Sequence, residues 1–249
     1  MQYIVSRIVC WFSCGATSAV AAYLTIKQYG ADSVTVAYID TGSEHSDNVR
    51  FRQDVERWLG VPVLVLKSDK YSDVDDVIAR TRYIRGQHGA RCSGELKRAV
   101  RLAFQQPDDI QVFGYHAKER KRADKFTEAN IGLNLHYPLI EAELTHDDCL
   151  ALIHEVGIEL PEMYKLGYNN NNCLGCVKAE GPGYWNRIRR DFPDVFAKRS
   201  AQERAYGYAM VRINRVPVYL DELDPTLGDM SIEPVVQCGL LCQMALVET

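Results

Sequence analysis

The opening 66 residues alternate in a way that leaves few folds open. Ile8–Phe12 is a short apolar run bounded by Ser-Cys-Gly, and residues 18–28 read as a helix that stops at Tyr29-Gly30. Val34–Ile39 is β-branched and apolar and breaks at Asp40-Thr41-Gly42. Residues 47–59 form an amphipathic helical pattern ending at Gly60, and 61–66 is a third apolar run. This β-α-β-α-β order predicts an α/β fold: a parallel sheet with helices on both faces.

Beyond it the pattern is less regular. Residues 72–83 read as a helix, 86–89 as a loop, and 93–104 as a helix with Ser93 as its N-cap. A strand at 110–113 stops at Gly114, a polar loop follows over 115–130, and 137–140 reads as short and extended. Residues 145–156 read as a helix capped by Thr145 with an acidic first turn. Residues 184–190 and 200–212 read as further helices, with no internal repeat and no long linker. The expected organisation is one domain over 1–249. Residues 1–168 form its nucleotide-binding sheet core and 169–249 a cysteine-containing C-terminal extension.

At 249 residues and 47% hydrophobic content there is enough apolar material for one real core. Lys and Arg number 29 against 33 Asp and Glu, a net charge of −4 that speaks against a bulk nucleic-acid binder but leaves room for a local basic patch. No run approaches the roughly 20 apolar residues of a membrane span. The most apolar segment, residues 8–24, is interrupted by Ser13, Cys14, Gly15 and Ser18 and lacks a charged n-region or an A-x-A site. The expectation is a cytoplasmic protein with no membrane contact.

The segment Ser13-Cys14-Gly15-Ala16-Thr17-Ser18 lies between the first strand and the first helix. Small residues let backbone approach a ligand, and the helix amides and dipole behind them favour an anion. The loop is neither a Walker A sequence nor G-x-G-x-x-G. Taken alone, it is equally compatible with a tight turn that binds nothing. The acidic turn after the second strand adds a carboxylate suited to a base amine or a ribose hydroxyl. Candidate nucleotide contacts are therefore Ser13, Cys14, Gly15, Thr17 and Ser18, with Asp40, Thr41 and Gly42.

Eight cysteines stand at 10, 14, 92, 149, 173, 176, 238 and 242. Cys10 in a strand and Cys149 in a helix read as packing residues. Cys173-x2-Cys176 is the sharpest metal signal, since two thiolates at this spacing can bind one ion or two corners of an iron–sulfur cube. Cys238-x3-Cys242 offers a second pair and Cys92 a fifth thiolate. Spacing does not separate zinc from iron–sulfur. Ordinary buried cysteines and a redox pair remain alternatives.

Cations crowd three segments: Lys118, Arg120, Lys121, Arg122 and Lys125; Arg80, Arg82, Arg85 and Arg91; and Arg187, Arg189 and Arg190. Some are expected to bind phosphate or sulfate, the rest to be solvated. Alternatively, Trp185 stacks on a nucleic-acid base while the cations track phosphates.

The order strand, Ser-x-Gly-x-x-Ser, helix, strand, Asp-Thr-Gly resembles the PP-loop nucleotide-binding superfamily, and within it the phosphoadenosine phosphosulfate (PAPS) reductase family. Ser13, Gly15 and Ser18 match the Ser-Gly-Gly-x-Asp-Ser consensus, while Cys14 replaces a Gly and Thr17 the Asp. Arg91-Cys92-Ser93-Gly94-Glu95-Leu96-Lys97 resembles the family's Cys-x-x-x-x-Lys helix start. Gly114-Tyr115-His116-Ala117-Lys118-Glu119-Arg120 resembles its Gly-x-Arg loop, with His116 in place of the Arg. Tyr137-Pro138, Leu160-Pro161, Tyr164 to Tyr168 and the Cys-x2-Cys follow in the family's order.

The resemblance implies an adenine nucleotide alpha hydrolase-like fold and a bound adenine nucleotide: ATP, PAPS or adenylyl sulfate. It adds Lys97 and Arg120 to the nucleotide contacts. It implies a 4Fe-4S cluster, with zinc the alternative, on Cys92, Cys173, Cys176 and the tail residue Cys242. It makes Cys238, in a Cys-Gly pair like that of the reductases' C-terminal motif, the candidate nucleophile. Three activities follow: a sulfonucleotide reductase-like oxidoreductase served by a thiol reductant; an ATP-dependent sulfurtransferase acting on tRNA or DNA with a sulfur donor protein; or a non-catalytic nucleotide-binding protein.

Overall fold

The structure, a computed structural model, describes residues 6–86 and 89–233. Five strands, β1 (Ile8–Phe12), β2 (Val34–Ile39), β3 (Val63–Leu66), β4 (Ile110–Val112) and β5 (Asn134–His136), form one sheet in the order β3-β2-β1-β4-β5. Every pairing in it is parallel. The longer helices are α1 (Ala16–Tyr29), α2 (Asn48–Leu59), α3 (Val74–Thr81), α4 (91–104), α5 (Arg120–Glu128), α6 (His146–Glu155), α7 (Pro182–Asp191) and α8 (Pro193–Tyr206). None of the described helices is long and apolar enough to cross a membrane.

The period-two alternation of β1 decides which residue meets which layer. Ile8, Cys10 and Phe12 enter a core with residues of α1, α2 and α6. Val9 and Trp11 face the other way, into a core with Val100 of α4 and Ala123 and Phe126 of α5. Both faces are thus covered, as a fully parallel sheet requires. A third core joins residues 71–96 to the later segment from Met163 to Leu223, with Trp185 and Ile188 of α7 at its centre.

Several elements differ from the sequence expectation. The polar stretch 115–130 is not a loop: it holds α5, whose buried residues are Ala123 and Phe126. The extended reading of 137–140 gives way to a strand at Asn134–His136 and a helical turn at Pro138–Glu141, where Pro138 takes a first-turn position. Ser93 is not an N-cap, because α4 begins at Arg91 behind Ala90. That helix carries a π-helical turn over Gly94–Arg98, which turns Leu96 and Lys97 inward. The expected helix 200–212 starts earlier, at Pro193, and ends at Tyr206, leaving Val211–Ile213 to pair with Val216–Val218 as a hairpin. Thr145 does cap α6, accepting the Asp148 amide.

Candidate nucleotide site at the strand ends

Strand order reverses at β1, since β2 lies on one side of it and β4 on the other. In open parallel sheets the crevice at the carboxyl ends of such a pair is the usual ligand position. Two loops meet there. Residues 13–15 run from β1 into α1, with Ser13 exposed and Gly15 extended at the N-cap. The Ser18 hydroxyl donates to the Gly15 carbonyl at 2.9 Å. It also receives the Ser13 amide at 3.0 Å and lies 3.1 Å from the Ser13 hydroxyl. Ser18 therefore closes the loop on itself and leaves the exposed Ser13 facing outward. Past β4, Gly114 packs so tightly on this turn that a Cβ there would lie 2.9 Å from the Ser18 backbone nitrogen. Only glycine allows the two loops this approach.

Cys14, where the PP-loop consensus has Gly, adopts a left-handed φ of 60°. Its buried thiol donates to the Asn48 carbonyl at 3.3 Å. Burial, then the negative charge of Glu44, pushes that thiol well above its ordinary pKa, so it stays protonated. Burial also lifts Cys10 and Cys149 to about 12. All three are poor nucleophiles.

Beside the loop, Asp40 accepts the Gly42 amide at 2.8 Å and pairs with Lys67 at 2.8 Å. Burial pushes its carboxyl up, but these donors outweigh it and hold the group below its usual value. Asp40 is therefore anionic at neutral pH. Behind it Glu44 is buried among Tyr38 (2.5 Å), Asn48 (2.8 Å) and Lys97 (3.8 Å). Burial raises the Glu44 carboxyl despite the favourable Lys97, Tyr38 and Asn48 contacts. Lys97 is thus buried and ion-paired behind the turn.

The later segment folds directly onto these strand ends. Thr41 Oγ1 and Cys173 Sγ are 3.1 Å apart. The Leu174 amide donates to the Ser43 carbonyl at 2.8 Å. Asn171 Nδ2 donates to the Cys14 carbonyl and to Asn48 Oδ1, both at 2.7 Å. The Tyr164 hydroxyl faces the amides of Ala16 and Asn171, and burial pushes it up to about 12. Glu44, Asn48 and Asn171, which hold these loops together, were not among the sequence candidates. The polar run 169–172 beside the Cys-x2-Cys was the only signal for the last of them.

Cys173 and Cys176 are buried, as is Cys92, and all three belong to the third core. The Tyr184 hydroxyl accepts the Cys176 amide at 2.8 Å, and Arg199 Nε donates to the Gly175 carbonyl at 3.0 Å, which fixes the Cys-x2-Cys turn. Among the described residues no three His, Cys, Asp or Glu side chains converge as a metal site. Cys238 and Cys242 lie outside the described residues.

The basic segments separate by role. Lys118, Arg120, Lys121 and Lys125 are exposed around the start of α5, and Arg120 also reaches the Ile140 carbonyl at 3.3 Å. Arg187 caps the Leu166 carbonyl at 3.2 Å and Arg189 those of Leu220 and Leu223 at 2.9 Å. Trp185 is fully buried with its indole donating to the Ala179 carbonyl at 3.0 Å. That excludes the expected alternative in which it stacks on a base.

A doubly wound parallel sheet with a small-residue loop at its switch point is a class of fold that binds ligands at the carboxyl ends of its strands. Residues 7–182 match the family model of the phosphoadenosine phosphosulfate reductase domain. The chain belongs to that family, and its sheet is the adenine nucleotide alpha hydrolase-like arrangement. A Methanocaldococcus jannaschii protein described only as uncharacterised is 25% identical over 204 residues, which span 79% of this chain and 41% of that protein. The chain thus corresponds to less than half the length of that curated relative. A PAPS reductase from Candida auris, solved as a phosphate complex, aligns with a TM-score of 0.48 at 14% identity, over 67% of this chain and 81% of that one. An NMN synthetase from Francisella tularensis aligns with a TM-score of 0.44 at 14% identity, over 76% and 77%.

Proposed function

We propose that the chain binds an adenine nucleotide at the switch point and performs sulfur chemistry on it with thiols brought to the same place, as a sulfonucleotide reductase-like enzyme. The observation that carries this reading is the 3.1 Å contact between Thr41 and Cys173. It sets the first thiol of the Cys-x2-Cys at the end of β2, beside the loop that begins α1. The loop from Ser13 to Ser18 holds a phosphate with backbone amides, and Asp40 meets a base amine or ribose hydroxyl. Lys97 acts from behind, neutralising Glu44.

In the reaction, a cysteine thiolate attacks the terminal sulfur of PAPS or adenylyl sulfate. The sulfur–oxygen bond to the nucleotide phosphate breaks, the nucleotide leaves with that electron pair, and the cysteine carries an S-sulfonate. A thiol reductant then releases sulfite. Cys238 is the proposed attacking residue. Cys92, Cys173 and Cys176, with Cys242, are the proposed ligands of an iron–sulfur cluster or a zinc ion. Soft thiolates suit either metal, and Cys92, Cys173 and Cys176 lie in one core, but among the described residues they do not converge into a ligand set. Such a group supplies electrostatic stabilisation of sulfur-bound charge when present. The exposed Lys118, Lys121 and Lys125 favour a second reading, sulfur transfer to tRNA or DNA.

Calorimetry with PAPS, adenylyl sulfate and ATP tests the nucleotide. Gly15→Val should weaken the preferred one by about tenfold or more, because its side chain presses on the Tyr164 hydroxyl, 3.1 Å from the Cβ position, and displaces the loop. Unchanged affinity removes the loop from the site. Elemental analysis of anaerobically prepared protein reads the metal. About four irons with an absorption band near ~400 nm mean a cube, and about one zinc without colour means a structural ion. Neither metal refutes the ligand set.

A further inference from the structure

Arg101 lies on α4 with 3% of its surface exposed. Its Nε and Nη1 are buried, and among the described residues neither meets an acceptor. Around the guanidinium stand aromatic rings, with the centroids of Phe113 and Phe126 at 6.0 and 5.7 Å. Those distances lie at the outer limit of a cation–π contact, about 6 Å, and such contacts return far less than an unpaired buried charge costs. The Tyr115 hydroxyl beside it is also buried, with no partner among the described residues. Among the described residues the titratable groups acting on Arg101 are Arg98 and Tyr115, neither of them a carboxylate. Arg122 covers the Tyr115 ring at 5.2 Å, and the nearby Glu119 is already engaged by Arg122 at 2.5 Å.

We propose that Arg101 and Tyr115 form an oxyanion subsite, for phosphate or sulfate, on the sheet face opposite α1. Unsatisfied guanidinium nitrogens and a phenol hydroxyl all donate, Arg98 adds positive charge, and among the described residues no carboxylate pairs with Arg101. A tetrahedral oxyanion supplies both the acceptors and the countercharge. The subsite adjoins the nucleotide loop through Gly114, whose other side packs on Ser18. It does not depend on that loop binding a nucleotide.

Thermal unfolding with inorganic phosphate, sulfate and chloride tests it, on wild type and in parallel on Gly15→Val, which displaces the loop's own anion seat by pressing on Tyr164. Phosphate or sulfate at about a hundredfold excess over its Kd should raise the melting temperature by roughly 5 °C in both. Whichever gives the larger rise identifies the anion. Arg101→Met should melt no lower than wild type without anion, since an apolar chain of similar length replaces an unpaired charge. On the Gly15→Val background it should also lose the anion-dependent rise. Tyr115→Phe, which keeps the ring, should at least halve that rise and serves if Arg101→Met does not fold. On the Gly15→Val background, a rise that persists in Arg101→Met or stays above half in Tyr115→Phe overturns the subsite, as does an equal rise with chloride or no rise in wild type.

Discussion

At the scale of single residues, Cys14 shows how a departure from consensus is accommodated. Its φ of 60° is the conformation glycine adopts freely and other residues adopt at a cost of roughly 1–2 kcal/mol. The buried thiol and its bond to the Asn48 carbonyl offset that cost. Cys14→Gly relieves the strain and loses the thiol, so it should lie within about 1 kcal/mol of wild type. Cys14→Ala keeps the strain and loses the thiol, and should cost about 1–2 kcal/mol. Urea denaturation orders the two, and an alanine variant more stable than the glycine one contradicts the strained loop. The candidate residues of this loop were readable from spacing, because a strand, small residues and a helix start are local signals. The partners that hold it were not, since Asn171 reaches Cys14 across 157 positions.

Among the elements, strands written as continuous apolar runs were legible. β1 and β2 lie where their apolar runs lie, because both are buried on two faces. α5 was missed because its nine residues are mostly charged, with only Ala123 and Phe126 buried, so the stretch reads as a polar loop. The turn Pro138–Glu141 was missed because a short apolar run fits strand and helix equally. The hairpin after α8 depends on a contact that sequence does not display. Buried Glu203 accepts the Leu220 amide at 2.6 Å and also that of Met210, fastening the hairpin's two flanks to α8. Burial pushes its carboxyl from 4.5 up to about 7, against the help of both amides. The folded state thus holds this proton more tightly than the unfolded chain. Its contribution to stability is full below about pH 4.5 and is lost as pH rises through 7. Unfolding free energy should decline over this window by up to about 3 kcal/mol, and Glu203→Gln should flatten the decline. An identical pH profile in wild type and variant contradicts the assignment.

Across the whole molecule, the later segment is no appendage to the sheet. It shares a core with residues 71–96, and it touches the strand ends through Asn171, Cys173 and Leu174. Fold class was readable from the first 66 residues, but this closure joins residues more than a hundred positions apart. The central claim is that nucleotide loop and Cys-x2-Cys segment form one site. Hydrogen-exchange mass spectrometry with and without the tightest-binding adenine nucleotide tests it most directly. Bound nucleotide should slow exchange together in residues 14–18, 40–43 and 171–176. Protection of 14–18 and 40–43 with no change at 171–176 contradicts the single site.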